Sequence, residues 1–262
     1  MNLNIIILAA GNGKRMHSSI PKVMHKVGGK TMLEHVLISA EKLNPISINV
    51  VINSRTEHIK SDFSKHKVKW YTQLEQKGTA DAVKTVLPDL KKDDHALILY
   101  ADTPLIDYQL LNKFINYMPQ SHVKVLTADL ENPFGYGRII REQAETEKIL
   151  RIVEESEADA KQKNITECNT GIVFSNVGTL EKLIAEVNNN NSKREYYLTD
   201  IVSVASQKNY VVAPLLAKES NSLLGVNDKS QLEKTEQIYQ NNYREKFLKQ
   251  GVTMLDSKSV FF

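Results

Sequence analysis

The sequence predicts an open, mostly parallel α/β sheet with an insertion over one side of it and a helical arm at the end. Three observations carry this. Short apolar runs alternate with stretches of helical period through the first half, a loop of small residues follows the first run directly, and the alternation breaks after Gly135. The first run, residues 4–8, is Asn4-Ile5-Ile6-Ile7-Leu8, too short for a helix and β-branched enough for a buried strand. Met32, Leu33, Val36, Leu37 and Ala40 then recur at helical spacing, and residues 48–52 form a second apolar run. Strand, helix and strand in that order make a parallel crossover unit. The series continues through strand 68–71, helical 80–87, strand 95–100, a helix from 107 to about 118, and strand 123–129.

From Gly135 the strands become shorter and less regular, around 138–140, 150–153 and 168–174, with helical segments near 180–187 and 198–207. These residues are expected to form an insertion covering one side of the sheet's carboxyl edge, where open α/β sheets bind ligands. Asn188-Asn189-Asn190-Asn191 is a polar connection. A polar helix runs from Lys229 to about Gln250, and its partial apolar stripe (Leu232, Ile238, Tyr239, Tyr243, Phe247) suits an arm better than a core helix. The expected division is a main domain over 1–227, the arm over 228–250 and a tail over 251–262. In that tail Val260-Phe261-Phe262 is apolar and strand-like, with no partner evident in the sequence.

Composition narrows the function classes. Of 262 residues 41% are hydrophobic and 25% charged, enough for one large core. The 34 basic and 31 acidic residues are interspersed, so no basic stripe marks a nucleic-acid partner. The first residues lack both a basic leader and an apolar stretch of spanning length, and the expectation is a cytoplasmic protein without a membrane partner. The single cysteine, Cys168, can form neither an internal disulfide nor a zinc site and reads as a small buried hydrophobe.

The strongest local signal is Leu8-Ala9-Ala10-Gly11-Asn12-Gly13-Lys14-Arg15-Met16. Small residues after a strand let backbone N–H groups approach an anion, and Arg15 adds a charge-assisted contact. The loop is not a dinucleotide fingerprint, because Met16 stands where a third small residue is needed. Gly29-Lys30-Thr31 imitates the end of a Walker loop, but Met24 occupies the place of its first glycine. Two glycines alone fit an ordinary βα turn equally well. The nearby Pro21-Lys22-Val23 adds a second cation beside the loop. Asp102 ends an apolar strand, where a carboxylate meets solvent and ligand, although Asp before Thr-Pro also suits a turn or a cap.

The glycine loop and Pro21-Lys22-Val23 together resemble the sugar-1-phosphate nucleotidyltransferases. Later segments narrow the resemblance: Gln73-x-x-Gln76-x-Gly78-Thr79-Ala80, Leu99-Tyr100-Ala101-Asp102-x-Pro104, Gly135-Tyr136-Gly137-Arg138, Ile152-Val153-Glu154, Asn169-Thr170-Gly171, Glu195-Tyr196-Tyr197-Leu198-Thr199-Asp200 and Gly225-Val226-Asn227. In order from Ile6 to about Asp256, they are similar to the uridyltransferase half of the bacterial bifunctional N-acetylglucosamine-1-phosphate uridyltransferase/glucosamine-1-phosphate acetyltransferase family. The resemblance implies a Rossmann-like nucleotidyltransferase fold with a sugar-binding insertion, and uridylyl transfer from UTP to an amino-sugar 1-phosphate. That family continues into a β-helix of hexapeptide repeats that carries the acetyltransferase and holds related proteins as trimers. Residues 251–262 would fall where it begins, so no acetyl transfer and a monomer are expected of these 262 residues.

The resemblance also implies roles. Leu8, Ala9, Ala10 and Gly11 line the nucleotide, with Arg15 and Lys22 as catalytic cations on its phosphates. Gln73, Gly78 and Thr79 meet the uracil, and Tyr100 and Ala101 lie beside the nucleotide. Gly137, Glu154, Asn169, Tyr197 and Thr199 meet the sugar and its acetamido group. Asp102 and Asn227 bind Mg²⁺, a hard cation suited to one or two protein oxygens. Four departures stand out: Lys14 for the usual Thr, Asp81 where His is common, Ser156-Glu157 for Lys-Asp, and Ala101 for Gly. At Ala101 either the backbone is ordinary extended chain or nucleotide affinity is weakened, because a Cβ disfavours positive φ.

Overall fold

The computed structural model describes residues 1–142, 148–218 and 220–262. Its sheet grows from β1 (Leu3–Leu8), which is buried at every position because parallel neighbours flank both edges and layers cover both faces. Alternate residues serve two cores: Ile5, Ile7 and Ala9 face one, Ile6, Leu8 and Ala10 the other. A short hairpin of β2 (Lys26–Val27) and β3 (Lys30–Thr31) leads into α1 (Met32–Glu41), capped by Thr31, whose side chain accepts from Glu34 N at 3.1 Å. β4 (Ser47–Asn53), β5 (Val68–Gln73), α2 (Thr79–Lys84), β6 (His95–Tyr100), α3 (Tyr108–Asn116) and β7 (Val123–Asp129) continue the alternation. Then come β8 (Arg138–Arg141), β9 (Ile149–Val153), β10 (Glu167–Asn176), α4 (Val177–Ile184), α5 (Asp200–Gln207), β11 (Val212–Ala217) and α6 (Lys229–Lys249).

The main sheet has the order β11-β7-β10-β6-β1-β4-β5. All of its pairs are parallel except those of β10, which runs antiparallel between β6 and β7. This corrects one expectation. The strand around 168–174 does not belong to a covering insertion; it lies inside the sheet, with Ile172 and Phe174 in one core and Val173 in the other. Among the described residues after Gly135, only the strands β8 and β9 extend outside it, β8 pairing β10 and β9 pairing β8. β11 is a second difference, a strand where the sequence carries no expectation of one because Pro214 lies within it. Its place at the sheet's edge accommodates a residue with no N–H to donate.

From β1 the chain builds β4 and β5 to one side, then crosses to add β6 on the other. The crevice beyond the carboxyl ends of β1 and β6 is therefore a topological switch point, the usual ligand position in such sheets. The arm sits across the β2-β3 hairpin. Gly28 N donates to Glu236 Oε2 at 2.7 Å, and Leu232 and Tyr239 pack with Val27, Met32 and Val226. The tail has a partner after all: Gln240, 3% exposed, accepts from Phe262 N at 2.8 Å and donates to Phe262 O at 2.9 Å, while the Phe262 ring stacks on Phe247 with centroids 4.8 Å apart. Among the described residues no helix is long and apolar enough to cross a membrane.

Candidate active site

The glycine loop starts while still held by the sheet. Ala9 N donates to Val51 O at 2.8 Å, Ala101 N to Leu8 O at 3.1 Å, and Asn53 Nδ2 to Ala10 O at 3.0 Å. Beyond Ala10 the loop rises over a cleft of about 260 Å³. Leu8, Ala9, Ala10, Gly11, Lys22, Gln73, Gly78, Thr79, Tyr100 and Asp102 line it. So do Asn12, Val23, Gln76, Ala82 and Glu195, to which the sequence reading gave no role. Asn12 Nδ2 reaches Gln76 Oε1 at 3.2 Å, bridging the glycine loop and the segment after β5.

One end of the cleft gathers charge. Lys22 lies on the 3₁₀ turn Lys22–Met24, and a Cβ added at Gly13 would meet its Cβ at 2.7 Å, so the glycine gives the lysine stem room. Lys22 Nζ donates to Asp102 Oδ2 and, at 2.7 Å, to Asn227 Oδ1. Asp102 and Asn227 are brought together by a backbone bond, Val226 N to Asp102 O at 2.8 Å. Asn227 N is held in turn by Gln231 Oε1 at 2.7 Å, in the first turn of α6. The insertion braces the same segment, since Tyr136 Oη accepts from Gly225 N at 3.1 Å; burial holds that phenol's pKa above its ordinary value. Arg15 does not join this group. It is exposed on the turn Lys14–Met16 and makes no hydrogen bond or ion pair with the described residues.

Two oxygens from distant parts of the chain thus converge on one cationic atom. That donor set, one carboxylate and one amide oxygen, suits a hard divalent cation that completes its shell with phosphate and water. It does not resemble a dense protein cage: among the described residues no group of three or more His, Cys, Asp or Glu could hold a metal.

At the other end, Gln73 closes β5 and is 3% exposed. Its Nε2 donates to Gly78 O at 3.0 Å and to Asp81 Oδ2 at 2.7 Å. Gly78 has φ 119°, and a Cβ there would collide with the backbone carbonyl oxygen of Tyr196. The close approach has a purpose, because segment 77–80 docks on 196–198. Tyr196 N donates to Lys77 O at 2.7 Å, Ala80 N to Tyr196 O at 2.9 Å and Leu198 N to Thr79 Oγ1 at 2.9 Å.

That docking carries in the residues assigned to the sugar. Thr199 Oγ1 donates to Glu154 Oε1 at 2.9 Å, Asn169 N donates to Gly137 O at 2.8 Å, and a Cβ on Gly137 would lie 3.6 Å from Glu154 Oε1. Burial raises the pKa of Glu154, and the Thr199 hydrogen bond opposes it. Tyr197 is buried, which pushes its phenol up to about 12, and Asp200 is pushed up to about 6 by burial and then by the charges of Glu154 and Glu157. Tyr100 stands between the two ends: burial raises its phenol first, then Glu154, with Asp102 adding to it. Ala101 stays out of the cleft. It is fully buried in the core and its φ is not among the positive ones, so the extra Cβ packs in the core without straining the backbone.

Residues 5–170 match the family model of the MobA-like NTP transferase domain. Solved structures share the fold over nearly the whole chain. A UDP-glucose pyrophosphorylase in complex with UDP-glucose superposes with a TM-score of 0.70 at 15% identity, covering 92% of this chain and 100% of its own. A Bacillus anthracis protein assigned as a glucose-1-phosphate thymidylyltransferase gives 0.69 at 18% identity, covering 90% and 94%. The inositol-1-phosphate CTP transferase of T. maritima gives 0.67 at 14% identity, covering 90% and 95%. At such identities the likeness is one of fold.

Proposed function

The chain belongs to the MobA-like NTP transferase domain family, and from that premise we propose that it transfers the uridylyl group of UTP to N-acetylglucosamine 1-phosphate, releasing pyrophosphate and UDP-N-acetylglucosamine. The observation that carries this reading is the division of one cleft between hydrogen-bonding groups at Gln73 and Gly78 and a charged end at Lys22 and Asp102, where Asn227 Oδ1 holds the same ammonium. A base and a triphosphate need those two environments at opposite ends. The choice of uracil and of an amino sugar rests on the sequence motifs around Gln73, Glu154, Asn169 and Thr199.

No residue is required as nucleophile or base. The acceptor's phosphate oxygen attacks the α-phosphorus in line, a P–O bond forms, and the bond to the β-phosphate breaks with pyrophosphate as leaving group. The chain's part is to align the two substrates and offset their charge. Lys22 and the long, exposed side chain of Arg15 serve the phosphates, Gln73 and Gly78 the base, and Glu154 and Asn169 the sugar. Asp102 and Asn227 would hold Mg²⁺, which when bound neutralises phosphate charge. Lys22 would then exchange their oxygens for phosphate oxygens.

A second reading keeps the chemistry and changes the acceptor to another 1-phosphate, the class of substrate that structural neighbours are named for. One assay separates the two: pyrophosphate release from UTP with a panel of sugar 1-phosphates, with Mg²⁺ and again after chelation. The proposal expects N-acetylglucosamine 1-phosphate to turn over fastest and chelation to abolish release. Equal or faster turnover of glucose 1-phosphate supports the second reading, and release from no acceptor overturns both.

A further inference from the structure

Asp81 stands where the resembling family commonly has His, and its carboxylate is turned toward Gln73. We propose that Asp81 is a specificity-positioning residue: it fixes which end of the Gln73 amide faces the cleft and so selects a base with an N–H at its pairing edge. This rests on the proposal that the cleft end near Gln73 holds the base.

The argument is one of hydrogen-bond inventory. An amide side chain carries two N–H donors on nitrogen and only lone pairs on oxygen. Gln73 Nε2 has Asp81 Oδ2 at 2.7 Å and Gly78 O at 3.0 Å, and neither of those oxygens has a hydrogen to give. Turning the amide over would set Gln73 Oε1 against both of them, an acceptor facing two acceptors in a place where the side chain is 3% exposed. Both N–H groups are therefore committed. Gln73 Oε1 takes no hydrogen bond from a described residue, yet it is not among the polar atoms shut away from solvent without a partner. Gln73 lines the cleft, so Oε1 is the atom of its amide left to meet a ligand there.

A fixed acceptor reads a donor. Uracil presents N3–H there, whereas cytosine presents a bare N3 lone pair at the same position. With the amide locked, cytosine meets acceptor against acceptor unless it shifts. With the amide free to turn, Gln73 could offer its N–H groups instead. Asp81 does not line the cleft itself, so it acts through Gln73.

The discriminating measurement is the ratio of UTP to CTP affinity, by titration calorimetry with Mg²⁺, together with KM and kcat for both nucleotides. Asp81→Asn replaces an acceptor-only group with one that can donate to Gln73 Oε1, so the turned amide gains a partner and is opposed by Gly78 O alone. Its UTP over CTP preference should drop roughly tenfold or more, through KM rather than kcat. Asp81→Glu keeps an acceptor-only side chain and should retain the preference. Asp81→Ala, which withdraws the carboxylate without offering a donor, should lower it by an intermediate factor and supplies the answer if the Asn variant does not fold. A general electrostatic effect of Asp81 on the triphosphate would move both nucleotides together and leave the ratio unchanged. An unchanged ratio in Asn and Ala variants overturns the inference while leaving the proposed function intact, and so does a wild type that binds CTP as tightly as UTP. A wild type that binds neither nucleotide overturns the underlying reading itself.

Discussion

Asp102→Asn removes one charge from an ion pair that the fold encloses, and its effect should separate into two parts. By sequence alone the substitution should leave the melting temperature almost unmoved, since Asn keeps the size and hydrogen bonding of Asp. The pairing with Lys22 changes that expectation. The Lys22 and Asp102 side chains are only 10% and 19% exposed, and the ammonium's other acceptor is the amide oxygen of Asn227. After the change a positive charge short of water faces two neutral amides. Breaking a fully buried pair by removing one partner costs about 3–5 kcal/mol. Here some solvent remains and an amide oxygen can still accept, so a loss of about 1–2 kcal/mol is expected. For 262 residues the entropy of unfolding converts each kcal/mol into about 2 °C, giving a Tm lower by about 2–4 °C. Activity should fall much further, by at least about two decades in kcat, because a ligand of the proposed Mg²⁺ loses its charge.

A thermodynamic cycle separates the parts. Lys22→Met alone leaves Asp102 unpaired, whereas the double variant leaves no charge at all, so its stability should recover most of the loss while its activity stays absent. The four proteins would be compared by urea unfolding and by pyrophosphate release at limiting Mg²⁺. Strict additivity of the two stability losses would refute the coupling, and near-normal kcat in Asp102→Asn would refute the metal role.

Two further substitutions probe other parts of the site. Gly78→Ala places a Cβ against the Tyr196 backbone at φ 119°, and it should cost about 1–3 kcal/mol while raising the KM for UTP; an unchanged Tm would show that segments 77–80 and 196–198 do not dock as described. Asp200 has its pKa raised from 3.8 to about 6, so its contribution to stability is fully present below pH 3.8 and is lost as pH rises through 6. Asp200→Asn removes that loss and should be more stable than wild type at pH 8, by well under the ~3 kcal/mol of the full shift, because solvent screens the half-buried carboxylate and the N-terminal turn of α5 favours its charge. The gain should fade toward pH 4 in urea unfolding, and an equal gain at both pH values would refute the linkage.

What the sequence made legible was local. Runs such as Ile5-Ile6-Ile7 and Ala96-Leu97-Ile98-Leu99 announce buried strands because their burial on both faces demands apolar residues at every position. Direction and neighbours are set by docking, so β10, with the same apolar signature, gave no sign of entering the sheet antiparallel. The start of α4 was hidden in a similar way. Asn176 caps it, accepting from Thr179 N at 3.1 Å, but the apolar run of β10 leads straight into that cap and masks the boundary. Gln240 holding the tail is a buried polar contact with no period to reveal it. In the site, Asp102 and the glycine loop were readable because each follows a strand. Asn12, Gln76 and Glu195 were not assigned, being polar residues of ordinary surface type, although all three lie within or beside motifs already singled out.

The misplaced strand also explains how the residues assigned to the sugar come to lie beside the cleft. β10 runs back beside β6, and its register shifts between Asn169 and Val173. At that irregularity Asn169 Oδ1 accepts from Gly171 N at 3.0 Å, and a Cβ on Gly171 would strike the Tyr100 ring at 2.5 Å from Cε2. The absence of that side chain is what lets the strand bearing Asn169 pass against the ring. Tyr100 in turn pairs in register with Leu8, where the glycine loop begins, and immediately precedes Ala101 and Asp102. A parallel strand in the place of β10 would enter from the opposite end and carry Asn169 away from this edge. The antiparallel insertion is therefore the topological step that sets the residues assigned to the sugar beside those assigned to the nucleotide. Because Gly171 and Tyr100 touch at that junction, enlarging either would be felt by both halves of the site at once.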